Sequence, residues 1–226
     1  MVNDAIEILS VWALPVVLAV TLHEAAHGWV AWKLGDPTAH ARGRVTFNPL
    51  KHVDPFGTVL LPLLLFLAKA PFLFGYARPV PVNFRALRKP RRDMVLVALA
   101  GPGINLALAL LAAFLLRGML AIKAAQFEWV VRNLMNAMII NLVLAVFNML
   151  PSPPLDGGRV AVGVLPRPLA RPLARLERYG LFILIGLLLL LPWLGDKLGQ
   201  DLNVMAWLVW EPVMLLLNAF GAVAGL

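Results

Sequence analysis

The segment TLHEAAHGWV, residues 21–30, places His23, Glu24 and His27 close together in an otherwise apolar run. On a helix, the two histidines lie one turn apart on the same face. Two imidazole nitrogens at that spacing can bind one zinc ion, at roughly 2.0–2.1 Å each. Glu24 is then placed to take a proton from a water molecule at the metal, which produces a hydroxide nucleophile near neutral pH. The spacing therefore indicates metal-dependent hydrolysis.

A second interpretation of the same residues is purely structural. The histidines could instead hydrogen-bond to neighbouring helices, with Glu24 as a buried partner. Ionisable groups inside a membrane span are energetically costly and most often functional. Three such groups on one helical turn favour the chemical role over packing.

A catalytic zinc site commonly has three protein ligands and one open position, so a third ligand is required. His40, His52 and the acidic residues are the candidates. Asp156 stands out because it follows an apolar run in FNMLPSPPLDGGRV, residues 147–160. Prolines and glycines force irregular backbone at the end of a span, which can turn a carboxylate back toward the core. His40 and His52 lie in a basic loop, where we expect solvated or interfacial side chains rather than ligands.

The composition indicates an integral membrane protein. Of the 226 residues, 61% are apolar and 14% are charged, against about 25% charged in a typical soluble domain. The net charge of +8 would suggest nucleic acid in a soluble protein, but here the basic residues cluster between apolar runs, as in loops that face anionic lipid. We therefore expect the lipid bilayer, and no nucleic acid, as a partner. The absence of cysteine excludes disulfides and thiolate ligands.

The apolar runs predict an all-α polytopic membrane protein with five to six transmembrane helices. One run, 56–76, is weaker because Pro62 and Pro71 interrupt it, and it is predicted to be a re-entrant segment. Short β-strands are predicted near the active site, at 45–47 and within 76–84, where residues that precede proline avoid the helical region. The strong helical spans are expected at 5–32, 94–116, 130–150, 180–194 and 204–223.

The basic residues predict the topology. Segments 33–55, 77–92 and 151–179 hold 4, 6 and 5 of the 20 lysines and arginines. If 56–76 is re-entrant, all three segments are cytoplasmic, as the positive-inside rule prefers. The HEAAH helix and Asp156 then both lie toward the cytoplasm, whereas six full crossings would place them toward opposite faces. The charge pattern and the metal hypothesis thus favour the same topology over a full crossing by 56–76.

Four further polar or small positions lie within the predicted spans. Gly101 and Gly103 in AGPGIN, residues 100–105, indicate close helix packing. Asn105 either hydrogen-bonds toward the site or supplies polarity for packing. Asn141 is expected to form a hydrogen bond between helices.

Together, TLHEAAHGWV and FNMLPSPPLDGG resemble the site-2 protease family of intramembrane zinc metalloproteases. AGPGIN is similar to the Gly-Pro-x-x-Asn element of the family's core helix, and GRVTFNPLKHVDP is similar to the stretch after the zinc-binding helix in its compact bacterial and archaeal members. The resemblance covers roughly residues 15 to 160. The family's second motif is met here by Asn148, Pro151, Pro154, Asp156 and Gly157.

The resemblance implies that His23, His27 and Asp156 bind one zinc ion per chain, with Glu24 as the general base. It also implies that Asn148 binds substrate or steadies the oxyanion of the tetrahedral intermediate; an interhelical hydrogen bond is the alternative for this side chain. The implied substrate is a transmembrane helix of another protein, cut within or near the bilayer as in regulated intramembrane proteolysis.

A single membrane-embedded metalloprotease domain is expected over 1–226, with a core at 5–160, additional C-terminal helices at 180–223 and no soluble regulatory domain. The resemblance places it in a prokaryotic cell membrane. One rival function is a transporter of metal ions or protons, which predicts further ionisable residues along other spans, where few occur. The other rival is an inactive, protease-like membrane scaffold, against which the intact Glu24 and Asp156 speak. Substrate identity and oligomeric state stay open.

Overall fold

Helices supply the regular structure of the chain. The computed structural model describes residues 2–67, 75–122, 127–203 and 205–226. Short π-helical turns precede α3 and α10 and separate α8 from α9. In chain order the described α-helices are α1 (Val2–Lys33), α2 (Thr38–Ala41), α3 (Leu61–Leu67), α4 (Pro90–Ala121), α5 (Glu128–Asn148), α6 (Asp156–Val164), α7 (Arg167–Arg175), α8 (Gly180–Ile185), α9 (Leu191–Leu198) and α10 (Glu211–Ala224).

The helices α1, α4 and α5 pack against one another at the centre, and α10 packs on α4 and α5. Pro90 occupies the first turn of α4, where the N–H that proline lacks would have no helical partner. Along α4, Ala109, Ala112 and Ala113 are buried against Leu142 of α5. Such small side chains let helix backbones approach closely, which is how helices associate when the surrounding lipid is as apolar as their side chains.

Four described helices are long and apolar enough to cross a membrane, and they agree with four of the five predicted strong spans. At the fifth, predicted at 180–194, the segments Arg167–Tyr179 and Phe182–Leu198 meet at a bend of 79°, so this pair adds at most one crossing. The described residues therefore form an all-α membrane protein with four candidate spans, or five if the bent pair counts as one. The four are Ile6–Lys33, Pro90–Ala121, Glu128–Asn148 and Ala206–Ala224.

The two ends of the segment 56–76 lie side by side. The Tyr76 N–H donates to the Gly57 carbonyl oxygen at 3.0 Å, and the Thr58 hydroxyl donates to the Tyr76 carbonyl oxygen at 2.9 Å. Asp54 begins the segment by accepting hydrogen bonds from the N–H groups of residues 56 and 57. Residues 68–74 lie outside the described ranges, but the two ends are adjacent. The contact between the two ends favours the predicted re-entrant segment over a full crossing, and the re-entrant course stays a prediction.

The predicted short strands do not form among the described residues. Residues 45–47 are bends, and 75–83 has no regular secondary structure. Two prolines in 75–83 have no N–H for a β-ladder, and two of the other N–H groups bind carboxylates. The Val80 N–H donates to Glu24 at 2.8 Å, and the Asn83 N–H donates to Asp36 at 2.6 Å. The prediction of strands was wrong because side chains of α1 and its C-terminal turn satisfy this backbone.

Asp36 anchors the segment before α4 to the end of α1. It is fully buried. Its Oδ1 accepts hydrogen bonds from the N–H and the hydroxyl of Thr38, at 3.0 and 2.5 Å, and its Oδ2 accepts from the Asn83 N–H. A second bond, from the Arg88 N–H to the Leu34 carbonyl oxygen at 3.0 Å, joins the same two regions.

Asp36→Ala leaves three donors without their acceptor, and we expect the free energy of unfolding to fall by about 1–3 kcal/mol. The measurement is thermal unfolding of the purified chain in detergent. Asp196→Ala is the control, since Asp196 is exposed on α9 and its loss should change stability by less than about 0.5 kcal/mol. Equal melting temperatures for the two variants would contradict the anchoring role.

Candidate metal centre

Three buried side chains from two separate segments converge in the interior. His23 and His27 lie on α1, and Asp156 is the first residue of α6. The Nε2 atoms of the two histidines are 3.0 Å apart, and Oδ2 of Asp156 lies 3.2 Å from each of them. None of the three residues is more than 7% exposed. Ligand atoms around a tetrahedral metal with bonds of about 2.0–2.1 Å are about 3.3 Å apart, so the triangle has the size that one zinc ion requires.

Hydrogen bonds to α4 fix which nitrogen of each histidine faces this triangle. Nδ1 of His23 lies 2.5 Å from Oδ1 of Asn105, and Nδ1 of His27 lies 2.7 Å from the Val97 carbonyl oxygen. Both oxygens are acceptors, so each Nδ1 carries the proton and each Nε2 keeps a lone pair for a metal. Oδ2 of Asp156 is buried without a hydrogen bond. Two lone pairs and a carboxylate oxygen that face one another fit a cation between them.

The charge of Asp156 depends on its neighbours. Burial opposes ionisation of this carboxyl, but when each Nε2 also carries a proton, the hydrogen bonds and the positive charge of the two imidazoles outweigh burial and hold its pKa well below its usual range. A metal cation at the same point acts in the same direction. Asp156 is therefore suited to the anionic state that a metal ligand needs.

A chain of amides orients His23. Nδ2 of Asn105 donates to Oδ1 of Asn141 at 2.7 Å and to the Ala19 carbonyl oxygen at 3.3 Å. Asn141 in turn donates to the Ala137 carbonyl oxygen at 2.8 Å. These bonds set the amide of Asn105 so that its oxygen faces the imidazole. Asn105 thus hydrogen-bonds toward the site, and the bond that Asn141 accepts from it crosses between α4 and α5 as predicted.

Gly101 lets α4 approach the two histidines. A Cβ atom on Gly101 would lie 2.5 Å from Cε1 and 2.6 Å from Nε2 of His23, inside van der Waals contact. The sequence indicated close helix packing here, and the neighbours in the structure are the two histidines of the candidate metal group. Glycines also shape the other side, because a Cβ on Gly158 would lie 2.6 Å from the backbone nitrogen of Pro153. The turn that carries Asp156 back toward α1 therefore has no room for a side chain there.

The segment 75–83 hydrogen-bonds to the carboxylate of Glu24. Oε2 of Glu24 accepts the Val80 N–H, and the buried Arg44 donates from Nη2 to the Arg78 carbonyl oxygen at 2.6 Å. Burial and the charge of Arg78 lower the pKa of Arg44, whereas the Glu24 carboxylate opposes that shift. The sequence did not single out Arg44 or Val80 as site residues; the only signal was that Val80 lies within one predicted strand segment and Arg44 directly precedes the other.

The remaining predicted candidates lie apart from this group. Asn148 donates to the Leu144 carbonyl oxygen of its own helix at 3.0 Å, and its role toward substrate stays a prediction. His40 stacks on Trp32 with ring centroids 4.0 Å apart, and Nε2 of His52 donates to the Thr46 carbonyl oxygen at 3.1 Å. Neither of these two histidines joins the group of three, which is the one metal-type cluster among the described residues.

Gly101→Ala should lower the zinc content of the purified protein well below one ion per chain, because the added methyl group occupies the space of the imidazoles. Metal analysis after gel filtration measures it. Gly103→Ala is the matched control on the same helix, since a Cβ at Gly103 meets no atom within 4 Å. Full zinc content in Gly101→Ala would show that the space between α4 and the two histidines accommodates a methyl group, contrary to its geometry.

Comparisons with known proteins agree with this geometry. Residues 116–191 match Peptidase family M50. YwhC of Bacillus subtilis (strain 168), provisionally named a zinc metalloprotease, is 42% identical over 173 residues, which cover 75% of both chains. Rip2 of Mycolicibacterium smegmatis, named in the same way, is 32% identical over 76% of this chain and 64% of its own length. Rip2 of Mycobacterium tuberculosis (strain H37Rv) is 32% identical over 85% of this chain and 70% of its own length.

No solved structure matches the chain significantly. The match to Peptidase family M50 includes Asn148 and Asp156, while HEAAH lies before it. The identity to YwhC over three quarters of both chains is sufficient to assign the family. This zinc metalloprotease of the membrane belongs to peptidase family M50, the site-2 protease family that its two motifs predicted.

Proposed function

We propose that the chain is an intramembrane zinc endopeptidase, which cuts transmembrane segments of other membrane proteins within or near the bilayer, as in regulated intramembrane proteolysis. The observation that carries the proposal is the buried triangle of His23, His27 and Asp156, whose two histidines lie on a helix that is itself a candidate span. A hydrolytic centre built into such a helix can reach peptide bonds that proteases in water cannot.

In the proposed mechanism, His23, His27 and Asp156 hold the zinc ion. When bound, zinc supplies Lewis acidity, which polarises a substrate carbonyl and acidifies water. Glu24 takes the proton of the attacking water and delivers it to the leaving amine. The Val80 N–H donates a hydrogen bond to Oε2 of Glu24 at 2.8 Å, which orients this carboxylate.

The substrate peptide must be extended at the cut, because a helix occupies its own carbonyl groups. We propose that it lies along 75–83, which belongs to no β-ladder among the described residues, so that backbone hydrogen bonds hold it. Asn148 is proposed to bind this peptide or steady its oxyanion. To do so, its amide must turn away from the Leu144 carbonyl oxygen.

The active site is proposed to open toward the cytoplasm. Each of the three basic segments sends an arginine to the vicinity of the metal group. Arg44 and Arg78 meet beside Glu24, and Nη1 of Arg159 lies 3.8 Å from Oδ1 of Asp156. Loops rich in lysine and arginine stay on the cytoplasmic side, and the bacterial relatives support a prokaryotic cell membrane. We also propose that 1–226 acts as one membrane-embedded domain.

His23→Ala and Asp156→Ala should each lower the zinc content of the purified protein, because two ligands of the triangle cannot retain the ion against dialysis. The measurement is elemental analysis of protein purified in parallel with the wild type. His40→Ala is the control, since His40 stacks on Trp32 away from the group, and it should keep stoichiometric zinc. Equal zinc in all three variants would contradict the assigned ligands.

Glu24→Gln should keep zinc but lower cleavage of a model transmembrane substrate in proteoliposomes by about 10²–10⁴-fold, the contribution of a positioned general base. Product formation on gels measures it. A Glu24→Gln variant that cuts normally sinks the proposed mechanism. Zinc flux across the proteoliposomes that Glu24→Gln leaves intact would favour a transporter, and a wild type that neither cuts nor transports would favour a scaffold.

A further inference from the structure

The connector between α6 and α8 carries a stripe of arginines. Its sequence is RPLARPLARLER, residues 167–178, and its one acidic residue is Glu177. Its first three arginines are spaced four residues apart, and the fourth follows three residues later. On an ideal helix these four side chains fall within an arc of about 80° around the helix axis. All four are exposed. We define the arginine stripe as Arg167, Arg171, Arg175 and Arg178.

The opposite face of this connector is apolar. Leu169 is 57% exposed and Leu176 is 43% exposed, while Ala170 is buried. A helix with basic residues on one face and exposed leucines on the other is typical of segments that lie in the plane of the membrane interface. In that position the leucines enter the acyl region and the arginines stay at headgroup level.

The direction of the connector agrees with this placement. Its axis, over Arg167–Tyr179, is bent by 79° from the apolar segment Phe182–Leu198. A connector nearly perpendicular to an inserted helix runs along the membrane surface. Exposed Tyr179 lies at the corner, with the Arg178 guanidinium 4.6 Å from its ring centroid, and tyrosine is enriched at that depth.

The connector is joined to the metal group through Arg159. Nη2 of Arg159 lies 3.5 Å from Oε1 of Glu177, and Nη1 lies 3.8 Å from Oδ1 of Asp156. The same guanidinium lies 5.7 Å from the ring centroid of Phe84, the residue that follows the segment 75–83 in the chain. One side chain therefore touches the connector, the proposed metal ligand and the end of the proposed substrate segment.

We propose that the arginine stripe binds anionic phospholipid headgroups of the membrane and that this binding stabilises the metal centre through Glu177 and Arg159. Guanidinium groups bind phosphate oxygens by paired hydrogen bonds, and several basic residues near an anionic surface add their attraction. Lipid that neutralises the stripe leaves Glu177 to pair with Arg159, which in turn stays beside Asp156. The lipid site is independent of the proposed function, whereas the coupling rests on Asp156 as a zinc ligand.

The first experiment tests the lipid site. The full chain is placed in nanodiscs of phosphatidylcholine alone or with phosphatidylglycerol, and amide hydrogen exchange is followed over residues 167–178. Phosphatidylglycerol should slow this exchange in the wild type. The change of all four stripe arginines to glutamine should abolish the effect.

The matched control removes the same charge from other exposed positions, Arg42, Lys51, Arg85 and Arg92, each changed to glutamine. It should keep the protection by phosphatidylglycerol. Equal loss in the control and the stripe variant would overturn the site, since general charge would then explain the effect. Equal protection by inorganic phosphate in phosphatidylcholine nanodiscs would overturn a lipid as the ligand.

The second experiment tests the coupling by the rate at which zinc passes to an excess of chelator. Zinc release should be about two- to fivefold slower with phosphatidylglycerol, the range that one partly exposed ion pair provides. Glu177→Gln should keep the lipid protection of 167–178 but lose the difference in zinc release. Zinc-release rates that are the same with and without phosphatidylglycerol would overturn the coupling. A Glu177→Gln variant whose zinc release is still slowed by phosphatidylglycerol would overturn it as well. A wild type that binds no zinc would instead contradict the proposed function, and hydrogen exchange would still test the lipid site.

Discussion

The structure depends on one constraint: three candidate ligand atoms must face one another inside a helical membrane protein. These atoms belong to His23, His27 and Asp156 and lie 3.0 to 3.2 Å apart, and the other described elements are arranged around them. Such a group is tolerable there because a cation satisfies it and because α4 holds both imidazoles from behind. Gly101 provides the close approach of α4. The turn before α6 then has to bring a carboxylate to a point already fixed by α1.

The sequence predicted the three residues of the candidate metal group well, but it did not predict the residue that hydrogen-bonds to Glu24 and left open the role of Asn105, which hydrogen-bonds to His23. Histidines four residues apart fix a shared helical face, so the spacing together with the membrane setting predicted a metal site. The position of Asp156 could be inferred from its glycines and prolines. By contrast, the partners of Glu24 and His23 are 56 and 82 positions away along the chain, and no local pattern specifies such pairings. The strands failed for the same reason, since a distant carboxylate replaced the expected β-ladder.

The membrane changes the meaning of the polar residues in the long helices. Asn105 and Asn141 satisfy each other between α4 and α5, so neither amide is left without a partner in an apolar surrounding. Their bond also determines which atom of Asn105 faces His23. Packing and chemistry therefore use the same side chains, and a substitution made to improve packing would alter the metal site.

The two imidazoles differ in what holds them from behind. His23 depends on a side-chain amide, whereas His27 depends on the backbone carbonyl of Val97, which every residue type possesses. A substitution at Asn105 therefore changes the support of His23 directly, whereas no side-chain substitution at position 97 removes the carbonyl that supports His27. The orientation of His23 thus depends on the identity of one side chain, and that of His27 depends on the path of the backbone.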